Sequence, residues 1–247
     1  MDLALIQTLT VLQLILIVAV ILYMTANIIY LVRLQPVVQP ISNPPRISVC
    51  VPARNEERGV EACLQSLLNQ DYSNFEVIVI DDHSTDSTPD IMQALAQEYS
   101  HLKVLEGINL PEDWLGKPFA LHQAFKVSQG EYLLFTDADL VFKSTALNTA
   151  VHVMRERKLD VLTLMPKAEF GSFWEQAVQP VIFGFIASLT RFKNVNNPGH
   201  KSAMGFGAFL MFRRAAYEKI GGHEAGKADV LEDVLIAKRA KRAGLKL

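Results

Sequence analysis

Two aspartates, Asp137 and Asp139, follow the apolar run Tyr132–Phe135 with a single residue between them. In an extended chain that spacing turns both carboxylates to the same side. Two carboxylates with no cationic neighbour in sequence suit a hard divalent ion such as Mg2+ or Mn2+, and such ions share their sites with substrate phosphates. Taken alone, an Asp-x-Asp is as often a solvated turn. Two further acidic groups stand in the same setting: Glu56 after the strand expected at 47–51, and Asp81 with Asp82 after the strand expected at 75–80. Three acidic clusters at successive strand ends repel one another unless a cation or hydrogen-bond donors compensate. A nucleotide with its metal supplies both, because base and ribose donate to carboxylates and the metal bridges to the diphosphate. No Gly-x-Gly-x-x-Gly follows the first strand and no Gly-Lys-Ser/Thr loop occurs, so the usual dinucleotide and P-loop solutions are absent.

The elements that must position these acids alternate along the chain. Strands are expected at 47–51, 75–80, 102–105, 132–135 and 161–165. Between them Val60, Cys63, Leu64, Leu67 and Leu68 recur at helical spacing, and Ser87 or Thr88 is placed to cap a helix with Pro89 in its first turn. Helices are also expected at 117–128 and 144–157. This alternation is that of a doubly wound, mainly parallel α/β sheet, whose ligands bind outside the carboxyl ends of the strands. Further on, 205–212 reads as a strand whose glycines admit close backbone approach, Gly221-Gly222 as a turn, and 231–243 as a helix. Residues 244–247 read as the start of another strand, so the domain is expected to be C-terminally incomplete.

With 247 residues the chain has room for an anchor and one α/β domain. Residues 3–32 carry no charge, and a helix of that length, roughly 45 Å, exceeds the ~30 Å hydrocarbon core. Residues 1–34 are therefore expected to form a single-pass transmembrane anchor, followed by a proline-rich linker at 35–46 and the α/β domain at 47–247. Asp2 before the segment, and Arg33 and Arg46 after it, place the domain in the cytoplasm at the inner membrane. A second apolar stretch, 173–192, has an uncharged core too short to span; it reads equally as a buried helix or as one lying on the bilayer. The formal charge of −2 implies no nucleic-acid partner. Cys50 and Cys63 have no metal-ligand spacing and read as small core residues. His83, His200 and His223 also lack such spacing.

Taken in order, Pro52-Ala-Arg-Asn-Glu-Glu57, Val79-Ile-Asp-Asp-His-Ser-Thr-Asp86, Thr136-Asp-Ala-Asp139 and Glu232-Asp233 resemble the motifs of family 2 glycosyltransferases with the GT-A fold. Gly116-Lys-Pro-Phe-Ala120 and the run 174–180 are similar to a membrane-bound branch that glycosylates lipids, including hopanoid- and carotenoid-associated members. The resemblance implies a nucleoside-diphosphate sugar donor, a lipid or isoprenoid acceptor, a divalent metal, and single displacement with inversion. Residue by residue, it implies that Asp82 contacts the nucleobase with Glu56 and Asp81 in the same pocket. Pro52 and Arg54 belong to the same donor site. Lys117 lies by the diphosphate, Asp137 faces the ribose and metal region, Asp139 ligates the metal, and Asp233 is the base for the acceptor hydroxyl. The Gln-x-x-Arg-Trp motif of processive members does not follow, which disfavours processive polymer synthesis unless the chain is a fragment. Two other readings compete. Asp137-Ala-Asp-Leu-Val141 also fits haloacid-dehalogenase-type phosphatases, although those carry the motif on their first strand. A tethered nucleotide-sugar binder without catalysis is the other.

Overall fold

The computed structural model describes residues 3–31, 33–197 and 199–247. Asp2 and Val32, which bear on the anchor, and Pro198 of the polar loop expected at 193–202, lie outside them. The chain divides into two compact units, residues 1–33 with 167–202, and residues 34–166 with 203–247. This division differs from the linear one expected from composition, because the second apolar stretch groups with the first rather than with the sheet.

The larger unit is built on a six-stranded sheet. In chain order it contains β1 (Ile47–Ala53), α2 (Val60–Leu68), β2 (Phe75–Asp81), α3 (Thr88–Glu98), β3 (Leu102–Glu106), α4 (Gly116–Val127), β4 (Tyr132–Phe135), α5 (Ala146–Glu156) and β5 (Val161–Thr163). It continues with β6 (Leu210–Arg213), α8 (Arg214–Lys219), a single 3-10 turn (Glu224–Gly226) and α9 (Glu232–Arg242); the helices at Leu3–Ile28 (α1), Phe173–Leu189 (α6) and Phe192–Val195 (α7) belong to the other unit. The strand order is β3-β2-β1-β4-β6-β5. β1 runs parallel to β2 and β4, and β2 parallel to β3, whereas β6 is antiparallel to both its neighbours.

The central strands are mostly apolar because both faces are covered. The exceptions near their starts, Ser48 and Glu76, are buried but satisfied, Ser48 Oγ donating to Glu76 and Lys103 pairing with it. Val49, Val51, Val77, Val79, Tyr132 and Leu134 pack with Leu64, Leu67, Met92, Leu147 and Met154 of α2, α3 and α5. The alternate residues Cys50, Ile78, Ile80, Leu133 and Phe135 are equally buried, and α4 packs along β1 and β2.

Three local expectations need correction. The strand expected at 205–212 begins only at Leu210, because Phe206 N–H donates to Thr163 Oγ1 and Gly207 N–H to Asp233 Oδ2 instead of to a ladder. Residues 244–247 form no strand, although the backbone carbonyl of Lys246 accepts from Asp160 and Val161 at the start of β5. At α3 neither Ser87 nor Thr88 caps with its side chain; Asp86 Oδ1 accepts the Thr88 N–H instead. The proline-rich segment 35–46 is docked rather than free: Asn148 Nδ2 donates to Val37 O and Gln39 O, and Tyr72 Oη donates to Pro45 O.

The smaller unit contains α1 (Leu3–Ile28), α6 (Phe173–Leu189) and α7 (Phe192–Val195). α1 is long and apolar enough to cross a membrane. α6 is apolar yet exposed, with Trp174 at 73% and Phe185 at 64%, so the buried-helix reading of this stretch does not hold.

Candidate active site

The carboxyl ends of β1, β2 and β4 bring the predicted acids to one edge. Two loops there are stitched to each other. Asn55 N–H donates to Ser84 Oγ, and Thr85 N–H donates to Asn55 Oδ1 at 2.8 Å. Glu57 N–H donates to Asp86 Oδ2 and Ser87 N–H to Glu57 Oε2. Asn55 and His83 reach these positions with φ of 55° and 57°, in the left-handed region that Asn and His enter more readily than most residues. Asn55, Glu57 and Asp86 thus brace the loops, and Glu56 is oriented by its own N–H donating to Thr88 Oγ1 at 2.8 Å.

Asp81 accepts from Ser84 N–H, and its side chain turns into the loop. Asp82 is buried, with Arg54 Nη1 3.5 Å from its Oδ2. Gly116 opens α4 against this carboxylate: a Cβ there would stand 2.7 Å from Asp82 Oδ2. Pro52 lies within β1, opposite Ile80 and half-buried.

The densest charge cluster joins residues far apart in sequence. Lys117 Nζ lies 2.6 Å from Asp137 Oδ1 and 3.0 Å from Glu232 Oε1. Burial lowers the affinity of Lys117 for its proton, but the two carboxylates outweigh it and hold the ammonium above the usual lysine range. Asp137 therefore has a cationic neighbour after all, contributed by tertiary structure. Nor is the acid pair on an extended chain: β4 ends at Phe135, and Asp139 sits in a turn, exposed and, among the described residues, without an ion pair. The Glu56 carboxyl is pushed up by burial and then by the negative charges of Asp139, Asp137 and Asp86. A net negative field thus remains between the β1 and β4 loops despite Lys117. That field and its all-oxygen donor set fit a hard divalent cation. Among the described residues no three Asp, Glu, His or Cys side chains converge to hold one.

Glu232 and Asp233 stand in the first turn of α9. Glu232 is buried and committed to Lys117, whereas Asp233 is half-buried and accepts from Gly207 N–H at 2.8 Å and Val234 N–H at 2.7 Å. Gly207, to which sequence alone assigned no function, is the hub. A Cβ on it would lie 3.0 Å from Lys117 Nζ and 3.6 Å from an oxygen of Asp137 and of Asp233. The available signal was the Gly-Phe-Gly spacing inside an apolar run. At Gly205 a Cβ would fall 2.0 Å from the backbone oxygen of Asp233. The pair makes a sharp test. Gly205→Ala is expected to lose at least about 1–3 kcal/mol of stability, since backbone must move. Gly207→Ala meets only the tip of a flexible lysine, so it should keep its urea midpoint and lose about tenfold or more in product formation. Unchanged turnover in a folded Gly207→Ala protein would dissociate the Lys117 position from function.

The histidines stay apart from this chemistry. His83 is an exposed loop residue and His200 pairs with Ser202. His223 is buried, 2.6 Å from the Tyr217 hydroxyl; burial first, then the charges of Arg239, His122 and Lys117, press its pKa down to about 3. It is a neutral core histidine.

A sequence model described as Glycosyl transferase family 2 matches residues 48–221, ending before Glu232 and Asp233. A Beta-monoglucosyldiacylglycerol synthase from Nostoc is 38% identical over 117 residues, 47% of this chain and 25% of that protein. A probable glycosyltransferase of Bacillus subtilis, YdaM, is 30% identical over 192 residues, 72% of this chain and 43% of its own length. The chain thus spans a quarter to under a half of these relatives. Among solved structures, a mannosyltransferase from Pyrobaculum calidifontis in complex with GDP-Man and Mn2+ superposes with a TM-score of 0.65 at 23% identity. The superposition covers 92% of this chain and 61% of that one. Staphylococcus aureus TarS with UDP-GlcNAc gives 0.52 at 23%, covering 80% and 54%. At these identities the likeness shows the fold, which is GT-A.

Proposed function

The chain belongs to glycosyl transferase family 2, and on that premise we propose that it transfers a sugar from a nucleoside-diphosphate sugar to a membrane lipid or isoprenoid acceptor, with inversion at the anomeric carbon. The observation that carries this reading is the Lys117 bridge between Asp137 and Glu232, with Asp233 beside it across Gly207. Donor-side and acceptor-side groups thereby meet around one small space. The phosphatase reading has no support left, since the aspartate pair follows the fourth strand of a family 2 sheet.

In this reading Asp82, with Arg54 beside it, accepts a hydrogen bond from the nucleobase; Glu56 and Pro52 belong to the same donor site, and Asp81, whose Oδ1 accepts from Ser84 N–H, takes part through the loop it orders. Asp137 faces the ribose side, and Asp139 with Asp137 would hold a Mg2+ or Mn2+ ion. When bound, such an ion supplies Lewis-acid stabilisation of the departing nucleoside diphosphate. Lys117, already charged and half-exposed, adds a second positive group where the diphosphate leaves. Asp233 takes the proton of the acceptor hydroxyl as its oxygen attacks the anomeric carbon and the glycosidic bond to phosphate breaks. Glu232 keeps Lys117 in place.

A lipid acceptor is supported by the diacylglycerol-sugar relative and by α1. We read α1 as a single-pass inner-membrane anchor, with Arg33 and Arg46 on the cytoplasmic side together with the sheet. The test is a screen of nucleoside-diphosphate sugars for binding with Mn2+ or Mg2+, followed by transfer from each bound donor to membrane lipid extract. Radiolabel entering the lipid phase is the expected result. A tightly bound donor with no transfer to any acceptor would favour the non-catalytic binder, and no binding of any donor would overturn both.

A further inference from the structure

α6 leaves an apolar surface that the smaller unit does not cover. Phe173, Trp174, Val181, Phe185 and Leu189 are each between 64% and 74% exposed. In its 17 residues the one charge is Glu175, which is folded back into a capping box with Ser172. A surface of this size needs an apolar cover.

What covers it is indicated by the helix it is fastened to. Asn27 is the one buried residue of α1, among its described residues. Its Nδ2 donates to Thr190 O, the C-cap of α6, and its Oδ1 accepts from Phe192 N–H at 2.9 Å, the first residue of α7. Both ends of a carboxamide inside an uncharged helix are thereby satisfied, which a lipid environment demands of any polar group. At Gly184 a Cβ would stand 2.9 Å from Met24 Cε, so a small residue sits where α6 meets α1, as in helix pairs packed within membranes. Trp174 lies at one end of α6, and Arg191 with Lys193 just past the other. Lys193 Nζ lies 5.5 Å from the centre of the Tyr30 ring, beyond the end of α1. Aromatic and basic residues at the ends of an apolar segment are the composition of a membrane interface. At 17 residues α6 is about 25 Å long, short of the ~30 Å hydrocarbon core, so it does not cross.

We propose that α6 is a second membrane-embedded element, pinned to α1 by Asn27, whose exposed face takes the acyl chains of the same bilayer. The proposal rests on the reading of α1 as a membrane anchor, and the experiment separates the two.

The chain has two tryptophans, Trp114 and Trp174. In the full-length protein, Trp114→Phe leaves Trp174 as the sole emitter. Val18→Trp and Phe185→Trp, each with both native tryptophans replaced by Phe, report on α1 and on the middle of α6. Each protein is reconstituted in phosphatidylcholine vesicles with plain or brominated acyl chains, with equal emission in plain vesicles required first. Trp174 and the tryptophan at 185 are expected to lose most of their emission to bromine, as is the tryptophan at 18. Quenching at 18 without quenching at 174 or 185 overturns the α6 proposal and leaves the anchor standing. Quenching at none of the three overturns the anchor as well. Adding Asn27→Leu should preserve quenching at 18 and reduce it at 185; undiminished quenching at 185 would refute the pinning role of Asn27.

Discussion

Asp233→Asn is expected to bind donor within a few-fold of the native protein and to transfer sugar slower by a factor on the order of 10²–10⁴. An acceptor hydroxyl is a poor nucleophile while protonated, so the transition state needs a carboxylate within hydrogen-bond reach. Of the two acids in the first turn of α9, Glu232 is tied to Lys117, and Asp233 holds only backbone N–H groups. Asparagine has one carbonyl oxygen where Asp233 uses both carboxylate oxygens, so either the Gly207 or the Val234 N–H loses its acceptor together with the base, and donor affinity reports that local cost. Single-turnover rates and donor titrations on the same membranes separate the two quantities. If transfer stays within a few-fold, Asp233 is not the base, and Glu232→Gln becomes the decisive variant. If donor affinity falls in parallel with transfer, the substitution has disturbed the Lys117 cluster rather than removed a base.

Asp139→Ala should have the second large effect. The carboxylate is exposed in the β4–α5 turn and, among the described residues, has no ion pair, so its loss should change stability by no more than about 0.5 kcal/mol. Its proposed role is to hold a cation against the diphosphate, and Lewis-acid stabilisation worth several kcal/mol corresponds to a loss of transfer on the order of 10³-fold. Binding of the nucleoside diphosphate, titrated with Mn2+ and again with chelator, reads this directly. The native protein should gain affinity with Mn2+ and the variant should gain little. Equal Mn2+-dependent affinity in the two proteins would remove Asp139 from the metal site. The same titration on Glu56→Gln is informative in the opposite sense. Glu56 is not a proposed ligand of the ion, so Glu56→Gln should keep most of the Mn2+-dependent gain that Asp139→Ala loses.

Much of the sheet was legible from residue order because burial writes itself into local pattern. A strand covered on both faces is mostly apolar, and 47–51, 75–80 and 132–135 are, apart from Ser48 and Glu76, which are buried and hydrogen-bonded to each other. Where such a run gives way to acids, the strand ends and a loop begins, which located Glu56, Asp81, Asp82 and Asp137 at one edge before any coordinates. Boundaries drifted where side-chain oxygens took over backbone donors. Asp233 and Thr163 captured the N–H groups of Gly207 and Phe206 and delayed β6 to Leu210. No periodicity announces such a capture.

By itself, then, the sequence determined the alternation of elements, the family motifs and the edge at which the acids gather, since each depends on residues close together in the chain. Tertiary structure decided the rest. It inserted β6 antiparallel between β4 and β5, brought Lys117 between Asp137 and Glu232, and placed Gly207 so that its missing side chain leaves room for all three with Asp233. It also set apolar α6 on the outside of its unit, where composition allowed core or surface equally. These outcomes depend on which distant segments meet, and a charge or an apolar face carries no local mark of the partner it will find.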